Sequence, residues 1–382
     1  MTGIKRRQLL GAGLGGLGLL GLGAIGLAGA GWLAPRSHGQ RAAADDLLLS
    51  ACNDARGNHW IGGWRADGEP AFRIPVAHRA HAISWRPDRA QAVFYARRPG
   101  TELYIVDLDR GELQQQVSSP PGYHYYGHGA FSADGSRLFT TENAYQRGHG
   151  VIGIYDSAYY RRLGEFHCGG IGPHQLEFLS DQTTLAIATG GILTHPDQAR
   201  ENLNPDTMQP SLAYLDSRDG KVIDQFRPQH HQMSIRHLAV SADDRVVMGV
   251  QFQGDSSEIL PLVLSHGGED QLQPMQADEL HWLGQKQYIA SVAVDSARQV
   301  ALTTSPKGNN ISLWDLSNHS LLRSHNLADV AGATYCPGAE QFLVSNGHGQ
   351  VIAIDARQPD TLHNHFVHRD LRWDNHLAAG PG

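Results

Sequence analysis

Six stretches of the chain repeat one design, an apolar run, a short turn rich in Ser, Asp and Pro, and a second apolar run. They are "HAISWRPDRAQAVFYA" from His81, "HGAFSADGSRLFTTEN" from His128, "HQLEFLSDQTTLAIATGG" from His174, "RHLAVSADDRVVMGV" from Arg236, "SVAVDSARQVALTTS" from Ser291 and "GATYCPGAEQFLVSNG" from Gly332. The residues just before the turns, Trp85, Phe131, Phe178, Val240, Val294 and Tyr335, lie 46, 47, 62, 54 and 41 positions apart. A period of that size marks a repeat architecture, because one such unit cannot bury its own apolar faces. A second phrase follows each copy: "LYIVDLDRG", "IGIYDSAYY", "LAYLDSRDG", "LPLVLSHGG", "ISLWDLSNH" and "VIAIDARQP". These are strands closed by tight turns, with Asp107, Asp156, Asp216, Ser265, Asp315 and Asp355 at the turn. Four strands every 40 to 60 residues make a β-propeller blade of WD40-like type.

A seventh copy, "HWIGGWRADGE", lies near the start, after "LLLSACND". It begins with what is the second strand elsewhere, so its innermost strand is missing. The tail "RWDNHLAAG" resembles "SIRHLAV" at 234–240, and "NHLAA" supplies that strand. The expected fold is all-β: a seven-bladed propeller over 45–382, closed by a C-terminal strand that completes the first blade. Closure removes the open sheet edges that invite aggregation.

Residues 1–44 are different material. "KRR" at 5–7 precedes an uncharged Gly, Leu and Ala run, and the paired Arg6 and Arg7 before "QLL" resemble a twin-arginine export signal with an A-x-A cleavage site at Ala42–Ala44. The expected location is the periplasm. The alternatives are an ordinary basic leader or an uncleaved anchor, since the run is long enough to span a bilayer and would be the one membrane attachment. Without the five basic residues of this segment, 26 Lys and Arg face 38 Asp and Glu, which argues against a nucleic-acid partner. Cys52, Cys168 and Cys336 form no C-x-x-C or C-x-x-C-H, so neither covalent haem nor a thiolate zinc site is indicated. One disulfide stays open.

Histidine recurs within the repeat. His128, His237 and His376 stand at equivalent positions just before the innermost strand, with His81 and His174 one place earlier relative to the turn. Inner strands surround the channel of a propeller, so these imidazoles are expected to converge at its mouth, with Arg236 and Glu142 nearby. Neutral imidazole suits Fe, Cu or Zn. The metal set is then His128, His174, His237 and His376, with His81, Arg236 and Glu142 as ligand-binding neighbours. Two other readings stand beside it: an anion held by Arg236 and protonated rings, or histidines that tie strands together.

The insertion "GGILTHPDQARENLNPDTMQPS", Gly190 to Ser211, is too long for a hairpin. It offers His195, Asp206 and Met208 as a cover for the mouth, against the plainer reading of a solvated excursion. "SPPGYHYYGHG", with His124, Tyr125 and Tyr126, is a second expected rim, and "HNHFVH" reads as solvated surface. Nucleophile elbows, phosphate loops and H-E-x-x-H do not occur after the leader.

The phrases "GHGAFSADG", "TTEN", "GVIGIYD", "GIGPH", "GGILTHPD", "LNPDTMQPSLAYLD", "QMSIRHLAV" and "RWDNH", with the leader, resemble a family of exported bacterial propellers of no established activity. Its members are encoded beside imelysin-type iron-regulated proteins and a dihaem oxidoreductase-like protein. The resemblance covers the whole mature chain. It implies a periplasmic role in iron uptake with imelysin-type partners, and its phrases contain His128, Glu142, His174, His195, Asp206, Met208, Arg236, His237 and His376. The expected function is binding of a metal ion or metal complex at the channel mouth. The alternatives are an oxidoreductase or hydrolase using the same channel, with Glu142 and His174 or His237 as acid and base, and a protein-docking scaffold.

Overall fold

The computed structural model describes residues 46–97, 100–198 and 201–380. The leader at 1–44 and its cleavage site lie outside the described residues.

Strands in the second and third positions of a blade are largely buried on both faces because blades pack on both sides of them. "QAVFYA" at Gln91–Ala96 is buried throughout, whereas the outermost strand of the same blade, Glu112–Ser118, "ELQQQVS", exposes nearly every residue. Seven four-stranded antiparallel sheets result. Six apolar clusters fill the seams between blades. One joins Leu302 and Leu313 to Phe342 and Val344, and another joins Leu343 and Val351 to Trp64, Trp373 and Leu377 across the closure. The core is thus a ring of inter-blade layers, as sheet packing requires.

The turn aspartates act through their carboxylates. Asp107 accepts the backbone N–H groups of Asp109 and Arg110, Asp315 those of Ser317 and Asn318, and Asp355 that of Arg357. This is the Asx turn that pins third strand to fourth.

Blade 1 is completed from the far end of the chain. Leu371–Ala379 pairs antiparallel with Leu48–Asp54, Leu48 facing Ala379 and Asp54 facing Leu371. It packs between the inner strands of blades 7 and 2, Val330–Cys336 and Ala80–Trp85. The tail restates an internal phrase because it is an inner strand like the others. The three cysteines are free, Cys52 and Cys168 buried and apart in the fold.

The expected rim differs from the structure, and the expected solvated stretch "HNHFVH" holds for exposed His363 but not for His368. "HYYGHGAF" at His124–Phe131 is the inner strand of blade 3, and Tyr125 lies in the blade core with its hydroxyl 3.0 Å from that of Tyr155. Tyr125 and Tyr126 are both buried, as befits an inner strand rather than a rim. His368 is no solvated residue either: its Nε2 lies 2.8 Å from the Gly68 carbonyl and its ring packs by Trp64 and Trp373.

Candidate metal centre

The histidines lie inside the inner strands, each at or beside a break in strand register, rather than just before the strands. In blade 4 Pro173 pairs with Thr189 and Gln175 with Ala188, leaving His174 as the extra residue. In blade 2 the break spans His81, between Ala80 and Ile83; in blade 3 it spans Tyr126 to His128; in blade 1 it accompanies Asp374 to His376. In blade 5 the extra residue is Arg236, between Ile235 and His237. A bulge sets two consecutive residues against one partner and re-aims them. It therefore sets Arg236 beside His237, and His174 beside Gln175, against single partners, and it explains the one-place offset seen in the sequence.

Bulges strand backbone carbonyls, and hydroxyls of the second strands recover them. The Thr141 hydroxyl reaches the carbonyls of both His128 and His174, at 3.2 and 3.1 Å, and the Ser50 hydroxyl donates to the His376 carbonyl at 2.9 Å. Gly127, at φ +106°, is needed for His81: a Cβ there would stand 2.7 Å from the ring.

Five rings from five consecutive blades meet. Centroids lie 4.4 Å apart for His81–His376, 4.7 Å for His128–His376, 4.8 Å for His174–His237 and 5.1 Å for His128–His174. Two triads, His81–His128–His376 and His128–His174–His237, each bring three ligand atoms within 4.8 Å of one another, with His128 shared. All the rings except half-buried His174 are buried. Below them a channel cavity of about 450 Å³ continues between the inner strands, lined by His128, His376, Glu177 and Trp85.

The outer partners set which nitrogen faces inward. Gln175 Nε2 donates to the Leu238 carbonyl at 2.7 Å and to Glu177 at 3.0 Å, so its Oε1 is the acceptor for Leu238 N and for His237 Nδ1 at 3.3 Å. Ser291 donates its hydroxyl proton to the Asn375 carbonyl and so accepts from His376 Nδ1, at 3.3 Å. His81 Nδ1 faces Asp374 at 3.5 Å, and that carboxylate also holds Arg79 and Arg97. With Nδ1 protonated, the Nε2 lone pairs of His237, His376 and His81 are left for the centre, the arrangement that orients metal-binding imidazoles. His128 Nε2, His376 Nε2 and His174 Nδ1 are buried with no hydrogen-bond partner.

Burial keeps the rings neutral. It holds His81, His128, His174 and His237 well below the ordinary value, helped by neighbouring rings and by Arg97, Arg79 or Arg236, and brings His376 down to about 4. Neutral imidazole is the form that binds metal.

Other expected residues lie elsewhere. Glu142 belongs to the second strand of blade 3, which does not border the channel. It is buried there on Arg162 at 2.8 Å, Thr140 at 2.8 Å and Tyr155 at 2.9 Å, so it forms no acid–base pair with His174 or His237. His195 stacks edge-on against Tyr145 and faces Asp197, Met208 is buried with its sulfur on Asn202, and Asp206 is exposed at a short 3-10 turn. These contacts shape the insertion itself, which is anchored by Asn143 on the Thr194 carbonyl and by Ser234 on the Gly190 carbonyl. Among the described residues none of these four joins a histidine triad. Sequence reading passed over Arg79, Arg97, Gln175, Ser291 and Asp374. The signal for Asp374 was its place in "RWDNH", and that for Gln175 its place next to a histidine on an inner strand.

No curated protein matches the chain. Among solved structures, hydrazine synthase of Kuenenia stuttgartiensis is similar at a TM-score of 0.59 and 12% identity, over 80% of this chain and 94% of that one. At that identity the likeness concerns the propeller fold alone. The family described as protein of unknown function, DUF1513, matches residues 74–380, and the chain belongs to it.

Proposed function

We propose that this protein is an exported, periplasmic propeller that holds a metal ion, or a metal complex, among His81, His128, His174, His237 and His376, as an accessory to iron uptake. The observation that carries the reading is the buried, unpartnered nitrogens of His128, His174 and His376, set within two triads. Burying three polar atoms with no partner in the protein costs about 1–3 kcal/mol each, a cost that a metal ion recovers. An all-imidazole donor set suits Fe, Cu or Zn and disfavours Mg or Ca. The iron context and the imelysin-type partners rest on the family phrases, and the periplasmic location on "KRRQLL".

Elemental analysis of protein purified from the periplasm tests the site. Stoichiometric metal is expected in the wild type. It should be lost on His128→Ala, which removes the shared ring, and weakened tenfold or more by His174→Ala or His237→Ala, with little change in melting temperature. Variants that melt early yet keep their metal, or a wild type that takes none up on reconstitution, would assign the histidines to the fold. Arg6→Lys with Arg7→Lys should leave precursor in the cytoplasm; undiminished periplasmic yield would refute the twin-arginine route.

A further inference from the structure

A carboxylate with no cation beside it stands in the channel. Glu177 lies on the inner strand of blade 4, Pro173–Phe178, three residues beyond His174, and lines the cavity of about 450 Å³. Its Oε2 accepts the Val240 N–H at 3.1 Å and its Oε1 the Gln175 amide N–H at 3.0 Å. Both donors are neutral. Burial pushes the carboxyl up to about 7, and among the described residues only those two hydrogen bonds oppose the shift, with no cationic side chain helping them. The described lining includes no lysine, no arginine and no second carboxylate. A carboxylate has about four lone-pair sites, and two donors leave the others open to the cavity. His128 and His376 line the same cavity, and the Nε2 of each is buried without a partner.

We propose that a divalent metal ion reaches the rings through the channel, and that Glu177 is the carboxylate that receives it there before it passes to His128 and His376. The proposal rests on the metal reading above. A cation is the partner that an ionised carboxylate in this setting lacks, and a carboxylate without one is costly to keep charged away from bulk water. The cavity admits an ion with its water still bound, since six waters at about 30 Å³ each fit inside it. A single negative charge between low-dielectric walls focuses the field along the channel and raises the local concentration of cations. The donor types then follow in the order the chemistry requires: a carboxylate takes a hydrated ion, and the imidazoles replace its water.

The test uses the whole mature protein, stripped of metal, with Co(II) as the probe at pH 7.5. Cobalt content at saturation is measured first. Uptake is then followed by the visible spectrum after rapid mixing, and release by transfer to a chelator. Glu177→Gln, which keeps the shape and loses the charge, should slow uptake about tenfold or more and slow release with it. Glu177→Asp, which keeps the charge, should stay within about threefold of the wild type. Ala239→Phe fills part of the same cavity with Glu177 in place; it should also slow both rates, and it carries the test if Glu177→Gln melts early. Full cobalt loading with uptake as fast as the wild type's in Glu177→Gln, or in Ala239→Phe, overturns the route and leaves the metal reading standing, with half-buried His174 as the point of entry. Faster release from Glu177→Gln at unchanged uptake overturns it as well, and returns Glu177 to the support of Gln175 and His237. A wild type that takes up no cobalt overturns both.

Discussion

Blades 1 to 5 and blades 6 and 7 share one sheet plan but present different residues to the axis. Inner strands of the first five carry a histidine at a bulge, whereas Ser291–Asp295 of blade 6 pairs in unbroken register and begins with Ser291. Blade 7 keeps a register break at Ala331 but places only Ala331 and Gly332 there. The small residues do not leave a gap. Ser291 bonds the Asn375 carbonyl and the His376 ring, Thr304 caps the Ala331 carbonyl, and Thr334 accepts from Ala379 N. One side of the ring gathers histidines that could hold a metal ion, and the other clamps the C-terminal strand that brings His376 to them. A strong repeat can therefore divide labour between blades without changing its fold.

The clamp is most exposed to removal of the strand it holds. Deleting residues 371–380 takes away the inner strand of blade 1 along with Asp374 and His376, and opens the edge of Leu48–Asp54 that it pairs. Stability is expected to fall by several kcal/mol, read as a lowered melting temperature. A truncated protein melting within a degree or two of the full chain would mean that blades 6 and 7 hold nothing essential.

Acid should act most strongly on the side of the five rings. In the metal-free protein the five rings resist protonation until well below the ordinary value of 6.5, while the unfolded chain takes up protons near it. Stability is thus fully present above that pH and is lost as pH falls through the interval, each ring contributing up to about 1.4 kcal/mol per pH unit. Glu177, pushed up to about 7 by burial, has the opposite sign: its penalty eases as pH falls toward 4.5. One carboxyl does not offset five rings. Urea midpoints at pH 7.5 and pH 5 should differ strongly, and less so in His128→Ala. A pH-independent midpoint would break the assignment of neutral, buried rings.

Gly332→Ala probes the clamp with one methyl group. Its Cβ would stand 2.4 Å from Ser345 Oγ, 3.2 Å from Leu377 and 3.4 Å from the His376 carbonyl carbon. A loss of about 1–3 kcal/mol is expected from overpacking, with weaker metal retention because His376 is pushed. Unchanged stability and metal content would show that the approach is loose.

The smallest effect is expected from Ser291→Ala, which leaves His376 Nδ1 without its acceptor. Stability should fall by about 1 kcal/mol, and metal affinity by about tenfold as the ring loses its orientation. Equal metal affinity in the variant and the wild type, measured by competition with a chelator, would return Ser291 to a packing role.

The ring and its closure were legible because repeat periods, turn aspartates and a displaced inner strand are one-dimensional signals. "NHLAA" could be matched to "RHLAV" without any knowledge of contacts. The five histidines were legible as a set for the same reason, and their offsets of one residue were already the trace of bulges. Glu142 was misplaced because a carboxylate in a repeated phrase looks functional whether its strand lines the channel or lies one strand away, where Arg162 and Tyr155 claim it. His195, Asp206 and Met208 were grouped with the mouth on insertion length, yet an insertion folds on its nearest partners. Composition and pattern along the chain determined the strands, their turns, the blade count and which strand closes the ring, since each depends on local apolar periodicity and local turn chemistry. Only the tertiary structure decided that five rings meet and that Asp374, Gln175 and Ser291 stand within hydrogen-bond reach of three of them, because bulge register and inter-blade contact depend on residues tens to hundreds of positions apart.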